Sequence, residues 1–233
     1  MTTIALNEIN AAIRTCVSAE INAWGESEAL PPLSWQQADL PGTGWSGVIP
    51  NAFTHPGLGS SEADLRAIDR WGKTLGLGND GGTGLWSGVP KKWFLDVQSP
   101  WVDDPAPPHR ATDALVSPRL DELEYMIDVG VSESINTWGQ GHGLPKMNWV
   151  ISSQIDVDLD GFPVGDISSA RAADDVHRWI QVLGGADEMQ RDPYASWLHS
   201  VGSWRVGIYY IRDLDSLRRD EPDHPYFWSG MFG

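Results

Sequence analysis

Apolar residues near the start of the chain recur at spacings of three and four positions. They are Leu6, Ile9, Ile13, Val17, Ile21 and Trp24. This spacing puts their side chains on one face of a helix, so we predict a helix over residues 6–24. Gly25 follows and is the expected C-cap, because glycine readily adopts the conformation that ends a helix. The Pro31-Pro32 pair prevents the helix from resuming, and a strand is predicted to begin at Leu33–Trp35.

A second helix is predicted to end at Leu75, with Ser60 or Ser61 as its N-cap. Its apolar face carries Leu65, Ile68 and Leu75, weakly supplemented by Trp71. The Gly/Pro-rich segment before it suits a hairpin and a loop, and residues 89–97 are β-branched and aromatic enough to form one or two strands.

The first stretch of the chain occurs a second time. Leu6–Trp35 reads LNEINAAIRTCVSAEINAWGESEALPPLSW and Leu120–Trp149 reads LDELEYMIDVGVSESINTWGQGHGLPKMNW. At a constant offset of 114, twelve of these thirty positions are identical. This internal repeat predicts two tandem units, residues 1–98 and 113–233. The Pro-rich segment 99–112 is the predicted linker, with extended, semi-rigid geometry.

The second unit is predicted to follow the same order of elements. A helix over Leu120–Trp138 is capped by Gly139, and Asn148–Leu159 forms a strand that turns at Asp160-Gly161. A helix over Ser168–Leu183 and a strand over Trp204–Arg212 complete it. The predicted fold class is therefore α+β, with two repeats. Each is a helix-hairpin-helix-hairpin unit with a short antiparallel sheet and two helices on one face, and the pair is related by a pseudo-two-fold axis.

The repeated pattern is a helix ending in Trp-Gly, then Leu-Pro, then Trp, a hairpin and a helix ending Trp-(three residues)-Leu-Gly. It is carried by Trp24, Leu30, Pro31, Trp35, Trp71, Leu75 and Gly76, and by Trp138, Leu144, Pro145, Trp149, Trp179, Leu183 and Gly184. This pattern resembles small uncharacterised domains from actinobacteria and their phages or plasmids. The resemblance implies a biological context and no activity.

The charge of the chain restricts its partners. Sixteen Lys and Arg face 32 Asp and Glu, which gives a net charge of −16. A chain this acidic is poorly suited to bind nucleic acid through phosphates or to adsorb to anionic membranes. It permits a partner protein with a basic surface, or mimicry of DNA, while the favoured interpretation is that the charge serves solubility alone. With no signal peptide or apolar membrane-spanning stretch apparent, the expected location is the bacterial cytoplasm or a virion.

Three aspartates form the most specific candidate for a metal site. Asp156, Asp158 and Asp160 precede Gly161, as in the first half of an EF-hand calcium loop, but Ile167 stands where such a loop needs glutamate. The alternative is an amphipathic strand whose aspartates lie on one solvated face, available to a basic partner. No cofactor is expected, apart from calcium in the first of these interpretations.

Tryptophans outside the helices are the other candidates. Trp-Ser-Gly occurs three times, at Trp45, Trp86 and Trp228, and Trp101 lies in the linker. These four residues either anchor hairpins or form exposed binding contacts, since Trp is enriched in interface hot spots. The histidines have no ligand spacing, and no nucleophile elbow, phosphate loop or cysteine metal motif is present, so no catalytic residue is predicted.

The favoured function is a non-catalytic protein-binding protein, encoded by a phage or mobile element and acting on a host protein. One alternative is a structural component of a phage particle, with the aromatic tail PYFWSGMFG docking into a neighbour. Another is a calcium-dependent binder or hydrolase that uses Asp156, Asp158 and Asp160. A site is expected where the two repeats diverge, for example where His142 replaces Glu28.

Overall fold

The computed structural model describes most of both predicted units. The described residues are 4–37, 44–48, 62–79, 85–88, 94–98, 118–153, 157–166, 169–184, 196–201, 204–209 and 218–219. The helices are α1 (Ile4–Ser27), α2 (Glu62–Leu75), α3 (Pro118–Gly141) and α4 (Ala170–Leu183). The strands are β1 (Ser34–Gln37), β2 (Gly44–Val48), β3 (Gly78–Asn79), β4 (Leu85–Gly88), β5 (Phe94–Gln98), β6 (Met147–Ser153), β7 (Val157–Pro163), β8 (Ser196–Val201) and β9 (Trp204–Tyr209). The chain is therefore an α+β protein.

The chain divides by its contacts into two compact units. One is Arg14–Gly130, and the other is Met1–Ile13 together with Val131–Gly233. The division falls inside α1 and inside α3, so each long helix contributes residues to both units. The predicted boundaries at 1–98 and 113–233 describe the sequence repeat and stay a prediction, and the predicted linker 99–112 lies outside the described residues.

The apolar face of α1 is buried along its whole length. Leu6, Ile9, Ile13, Val17, Ile21 and Trp24 are all buried, as the three-and-four spacing predicts. On α3 the buried set is Leu123, Ile127, Val131 and Ile135. Each such side chain contributes about 1.5–3 kcal/mol when it leaves water, so these two stripes are a main source of stability. Among the described residues, no helix is long and apolar enough to cross a membrane.

The two sheets are mixed. Their strand orders are β1-β2-β5-β4-β3 and β6-β7-β9-β8. Hairpin partners pair antiparallel, but β2 pairs with β5 in parallel and β7 pairs with β9 in parallel. The predicted wholly antiparallel sheets are therefore wrong. The reason is the helix between the hairpins, which carries the chain back across its sheet, so that the last strand runs alongside the second strand in the same direction.

The single strand predicted over Asn148–Leu159 is two strands of a hairpin. In the register of β6 and β7, Trp149 faces Gly161 and Ile151 faces Leu159. The predicted turn at Asp160-Gly161 is wrong, because both residues lie inside β7. Gly161 does not form a turn but leaves space for the ring of Trp149. A Cβ atom there would come within 2.8 Å of Trp149 Cζ3, and a glycine inside a strand often marks such a close approach.

The helix ends also differ from the prediction. Helix α1 passes through Gly25 and α3 passes through Gly139, so neither glycine is the C-cap. At the end of α1 the Leu30 amide donates to the Gly25 carbonyl at 2.8 Å and the Ala29 amide to Glu26 at 3.0 Å. This is a Schellman end, whose left-handed residue is Ala29 with φ 57°. The corresponding residue of α3 is Gly143, with φ 69°.

The second helix of each unit ends where the sequence predicts. Leu75 ends α2 and Leu183 ends α4, and the glycines that follow have positive φ, 70° at Gly76 and 83° at Gly184. At the start of α4 the Ser169 hydroxyl accepts a hydrogen bond from the Ala172 amide at 3.1 Å, which satisfies one of the free donors of the first turn.

An asparagine side chain joins each long helix to the strand that follows it. The Asn136 amide group donates to the Met147 carbonyl at 2.9 Å, and its oxygen accepts from the Met147 amide at 2.9 Å and from Trp149 Nε1 at 3.3 Å. Asn22 makes the same three bonds, to the Leu33 carbonyl and amide and to Trp35 Nε1. The side chain thus pairs with the backbone as a neighbouring strand would.

We expect Asn136→Ala to lower the free energy of unfolding by about 3 kcal/mol, because it leaves a buried backbone N–H, a carbonyl and an indole N–H without partners. Urea unfolding measures the change. Thr137→Ala, at the exposed next position, is the control and should stay within about 0.5 kcal/mol of the wild type. A loss below 1 kcal/mol for Asn136→Ala, by the same scale, would contradict the role given to this side chain.

Exchanging the left-handed residues of the two helix ends should have opposite effects. Ala29→Gly should raise the free energy of unfolding by about 1 kcal/mol, because a Cβ atom is strained at positive φ. Gly143→Ala should lower it by about 1 kcal/mol through backbone strain alone, since no other atom lies within 4 Å of an added Cβ. Thermal unfolding of the two variants tests the pair, and shifts of the same sign would disprove the assignment.

Candidate functional site

Three tryptophans meet in the unit formed by residues 14–130. The Trp71 ring lies 6.1 Å from the Trp24 ring and 5.5 Å from the Trp35 ring, the latter edge-on at 73°. Trp71 Nε1 donates to the Pro31 carbonyl at 2.7 Å. Because Trp24 belongs to α1 and Trp35 to β1, the one indole of α2 fixes the packing of three elements.

The other unit contains the same cluster. The Trp179 ring lies 6.0 Å from Trp138 and 5.4 Å from Trp149, and its Nε1 donates to the Pro145 carbonyl at 2.8 Å. Trp71 and Trp179 are both fully buried. These two central indoles belong to the core, so the repeated cluster has a structural role in each unit.

A helical glycine lies directly against each central indole. A Cβ atom on Gly25 would come within 2.2 Å of Trp71 Cη2, and one on Gly139 within 2.4 Å of Trp179 Cη2. The arginine before each of these tryptophans bonds to the helix end, as Arg70 Nη2 donates to the Ala29 carbonyl at 2.5 Å and Arg178 Nη2 donates to the Gly143 carbonyl.

The four tryptophans predicted as binding residues have different outcomes. Trp45 lies in β2 and is 1% exposed, which favours the hairpin-anchor interpretation over an exposed contact. Leu95, which pairs with Trp45 across the sheet, is also buried, so both side chains belong to the core. Trp86 lies in β4, paired with Asn79 and Val97, and its side chain lies outside the described part of the chain. Trp101, Trp228 and the tail PYFWSGMFG also lie outside it.

Trp45 nevertheless borders an open cleft of about 470 Å³ in the unit of residues 14–130. The cleft lies between the middle of α1 and the end of the β1–β2 hairpin at which Gln37 pairs with Trp45. Its lining residues are Arg14, Thr15, Ser18, Trp35, Gln36, Gln37 and Trp45. A volume of this size is within the range of small-molecule sites. The polar side chains of this cleft make it the first candidate for a binding site.

The second candidate is an exposed stripe on α3. Tyr125 is 70% exposed and Val129, one turn later, is 38% exposed. Glu122 and Glu133 are exposed on the same side of the helix, at the two ends of the pair. We call these four residues the α3 stripe. It spans about 16 Å of helix, at 1.5 Å per residue.

The aspartates predicted to hold calcium are spread over the β6–β7 hairpin. Asp158 and Asp160 lie in β7, opposite Ser152 and Val150, while Asp156 and the Asp158 side chain lie outside the described residues. Asp160 is only 4% exposed, so the expected solvated face is wrong for this residue. Among the described residues, no group of three His, Cys, Asp or Glu could hold a metal ion. The calcium site stays a prediction.

His142, at one of the positions where the repeats diverge, joins a small surface cluster. Its ring lies 4.1 Å from the Trp138 ring, and its Nε2 is 3.6 Å from Glu8 Oε2. Trp138 Nε1 donates to the same carboxylate oxygen at 3.1 Å. Both His142 and Glu8 are about half-exposed, and an exposed pair of this kind contributes little to stability. The cluster connects the end of α3 to the first turns of α1 through Glu8.

Several residues of structural or functional interest belong to no sequence motif. Asn22 and Asn136 are among the twelve identical positions of the repeat, and a shared polar residue so close to an apolar stripe is the signal that could have found them. Arg14 and Asp128 occupy equivalent positions with opposite charges. Such a reversal of charge is informative because two side chains of opposite charge cannot have the same packing role in both repeats.

The chain matches no protein-family model, no curated protein and no solved structure.

Replacing the glycine beneath a central indole tests whether that contact holds the unit together. Gly139→Ala should lower the free energy of unfolding by about 3 kcal/mol, because its Cβ would overlap the Trp179 ring. Gly141→Ala is a matched control in the same helix, where an added Cβ meets nothing within 4 Å. We expect this control to gain up to about 1 kcal/mol from helix propensity.

The same measurement includes a rescue. Combining Gly139→Ala with Trp179→Phe removes the part of the ring that the new methyl group would strike. The double variant should therefore lose less free energy of unfolding than the two single variants lose in sum. Urea unfolding of the single and double variants gives the coupling energy. Equal stability of Gly139→Ala and Gly141→Ala would refute the proposed contact.

Proposed function

We propose that this chain is a non-catalytic protein-binding protein and that the α3 stripe contacts its partner. The observation that carries the proposal is the exposure of Tyr125 next to Val129 on an ordered helix. An exposed aromatic residue beside an aliphatic one, at positions i and i+4, is the arrangement that an amphipathic helix uses to enter a groove on a partner.

Tyrosine is suited to such a role. It provides a large contact area while losing little side-chain entropy, and it is enriched among the residues that dominate binding energy. The core of the unit does not require the pair. Ala11 and Thr15 stand at the equivalent positions of the first repeat, where the same apolar stripe of α1 is buried without them.

The charges around the pair favour a basic partner. Glu122 and Glu133 flank it, and the Glu20 side chain packs against Gly130, the residue after Val129. A second copy of this chain, with its net charge of −16, would bring like charges together. The groove that receives the stripe is therefore expected on another protein, apolar at its centre and lined by Lys and Arg at its rim.

We also infer that the chain arose by tandem duplication of one α+β domain. The constant offset of 114 supports this, as do the shared strand order and the repeated asparagine and tryptophan contacts. The pseudo-two-fold relation of the units stays a prediction. The resemblance to domains of actinobacteria and their phages or plasmids is the reason to propose that the basic partner is a host protein.

Photo-crosslinking tests the proposed surface. Benzoylphenylalanine in place of Tyr125, in the cells that produce the chain, should give a covalent adduct with one other protein. The same probe at Thr137, which is exposed on the same helix, is the control and should not give that adduct. With the captured protein purified, Tyr125→Ala combined with Val129→Ala should weaken binding by about 2 kcal/mol, roughly thirtyfold.

Charge reversal checks the predicted nature of the partner. Glu122→Lys with Glu133→Lys should reduce the crosslinking yield, and raising the salt concentration should do the same for the wild type. A crosslink only to a second copy of this chain would disprove the basic-partner proposal. So would a yield that is indifferent to both charge reversal and salt.

A further inference from the structure

We propose that the cleft between α1 and the β1–β2 hairpin binds a small organic carboxylate with a flat apolar body. This inference concerns a different surface from the α3 stripe and does not depend on it. It rests on three observations: an arginine without a partner in the described part of the chain, an indole N–H that also has none there, and the replacement of most of this lining in the other repeat.

Arg14 supplies the charge. It is exposed at the cleft and makes no ion pair or hydrogen bond with any residue in the described part of the chain. The chain has sixteen basic residues against 32 acidic ones, and the Arg14 guanidinium, with no carboxylate partner in the described part of the chain, is available to an external anion. The planar guanidinium of arginine binds carboxylates through two parallel hydrogen bonds.

Trp45 supplies an apolar wall and a donor. The residue is almost fully buried at the cleft, and its Nε1 has no hydrogen-bond partner among the described residues. A buried N–H without a partner is costly, so native structures rarely keep one without a reason. An acceptor atom of a bound molecule is one such reason, provided that the side chain moves enough to uncover Nε1, which is itself buried in this structure. The amide of Gln36 and the hydroxyl of Ser18 add donors and acceptors to the same lining.

Five of the seven lining positions differ in the second repeat, although its hairpin has the same register, and only Ser18 and Trp35 keep their residue type, as Ser132 and Trp149. Gln37 faces Trp45 in the first hairpin, and Ile151 faces Leu159 in the other. At the offset of 114 the lining changes as follows: Arg14 to Asp128, Thr15 to Val129, Gln36 to Val150, Gln37 to Ile151 and Trp45 to Leu159. The fold is thus compatible with an apolar and acidic set, and the polar, basic set of the first repeat requires another explanation.

A carboxylate fits better than a phosphate. One arginine balances one negative charge, and a doubly charged phosphate would meet the surplus acidic field of the chain without a second cation from the described lining. The indole rings of Trp35 and Trp45 suit an aromatic or otherwise flat apolar body. The cleft volume of about 470 Å³ accommodates a molecule of this kind.

Fluorine NMR with 4-fluorobenzoate as the probe tests the proposal on the full chain. The wild type should show saturable binding, and 4-fluorobenzyl alcohol and 4-fluorophenyl phosphate should both bind more weakly. Arg14→Gln should weaken binding of the benzoate about tenfold, the effect of losing one charge-assisted pair. Arg66→Gln removes the same charge from an exposed position on α2 outside the lining, and it should leave binding unchanged.

Trp45→Leu gives a second, independent variant. It installs the residue that the other repeat carries at the same register, so the hairpin should still form, although the cavity left by the buried ring should lower the melting temperature by about 10 °C. Benzoate binding should weaken in this variant as well. No saturable binding to the wild type would overturn the proposal. Equal loss in Arg14→Gln and Arg66→Gln, or tighter binding of the phosphate than of the benzoate, would overturn it too.

Discussion

The indole of Trp71 lies on a glycine of a long helix, and the contact sets the positions of three elements at once. The ring has room only because Gly25 lacks a Cβ atom. Its N–H then reaches the Pro31 carbonyl, just before β1. Helix, loop and second helix are thereby locked in one arrangement. The other unit repeats the contact with Trp179, Gly139 and Pro145. Close packing of this kind tolerates little change in volume, which explains why both repeats keep the same residues.

The sequence predicts the parts of this fold that depend on local pattern. The buried stripe of α1 follows from its spacing, and the ends of α2 and α4 follow from Leu-Gly. Local sequence pattern gives a wrong prediction where a residue is required by a tertiary contact. Gly25 resembles a cap and Gly161 resembles a turn, yet each glycine is there to admit a tryptophan ring. The parallel pairing of β2 with β5 is equally hidden, since it depends on strands from two different hairpins.

The candidate sites could not be predicted from local sequence patterns. A cleft needs residues from α1 and from the β1–β2 hairpin to come together, and no local pattern announces that Arg14 will lie near Trp45. The repeat nevertheless offers an internal comparison that a single copy cannot. Asn22 and Asn136, which are identical in both copies, bond the helix to the strand. Arg14 and Asp128, which are opposite in charge, cannot share a structural role.

One helical position shows how the two similar stretches differ. Thr15 lines the cleft of the first repeat, and its equivalent, Val129, belongs to the exposed α3 stripe. Both lie on the side of a long helix that is left over once the apolar stripe is buried. Because the core contacts come from the opposite side, substitutions here have little effect on folding and are open to selection for binding. A chain whose two similar sequence stretches share the same tryptophan contacts can in this way carry a polar cleft on one long helix and an exposed apolar pair on the other.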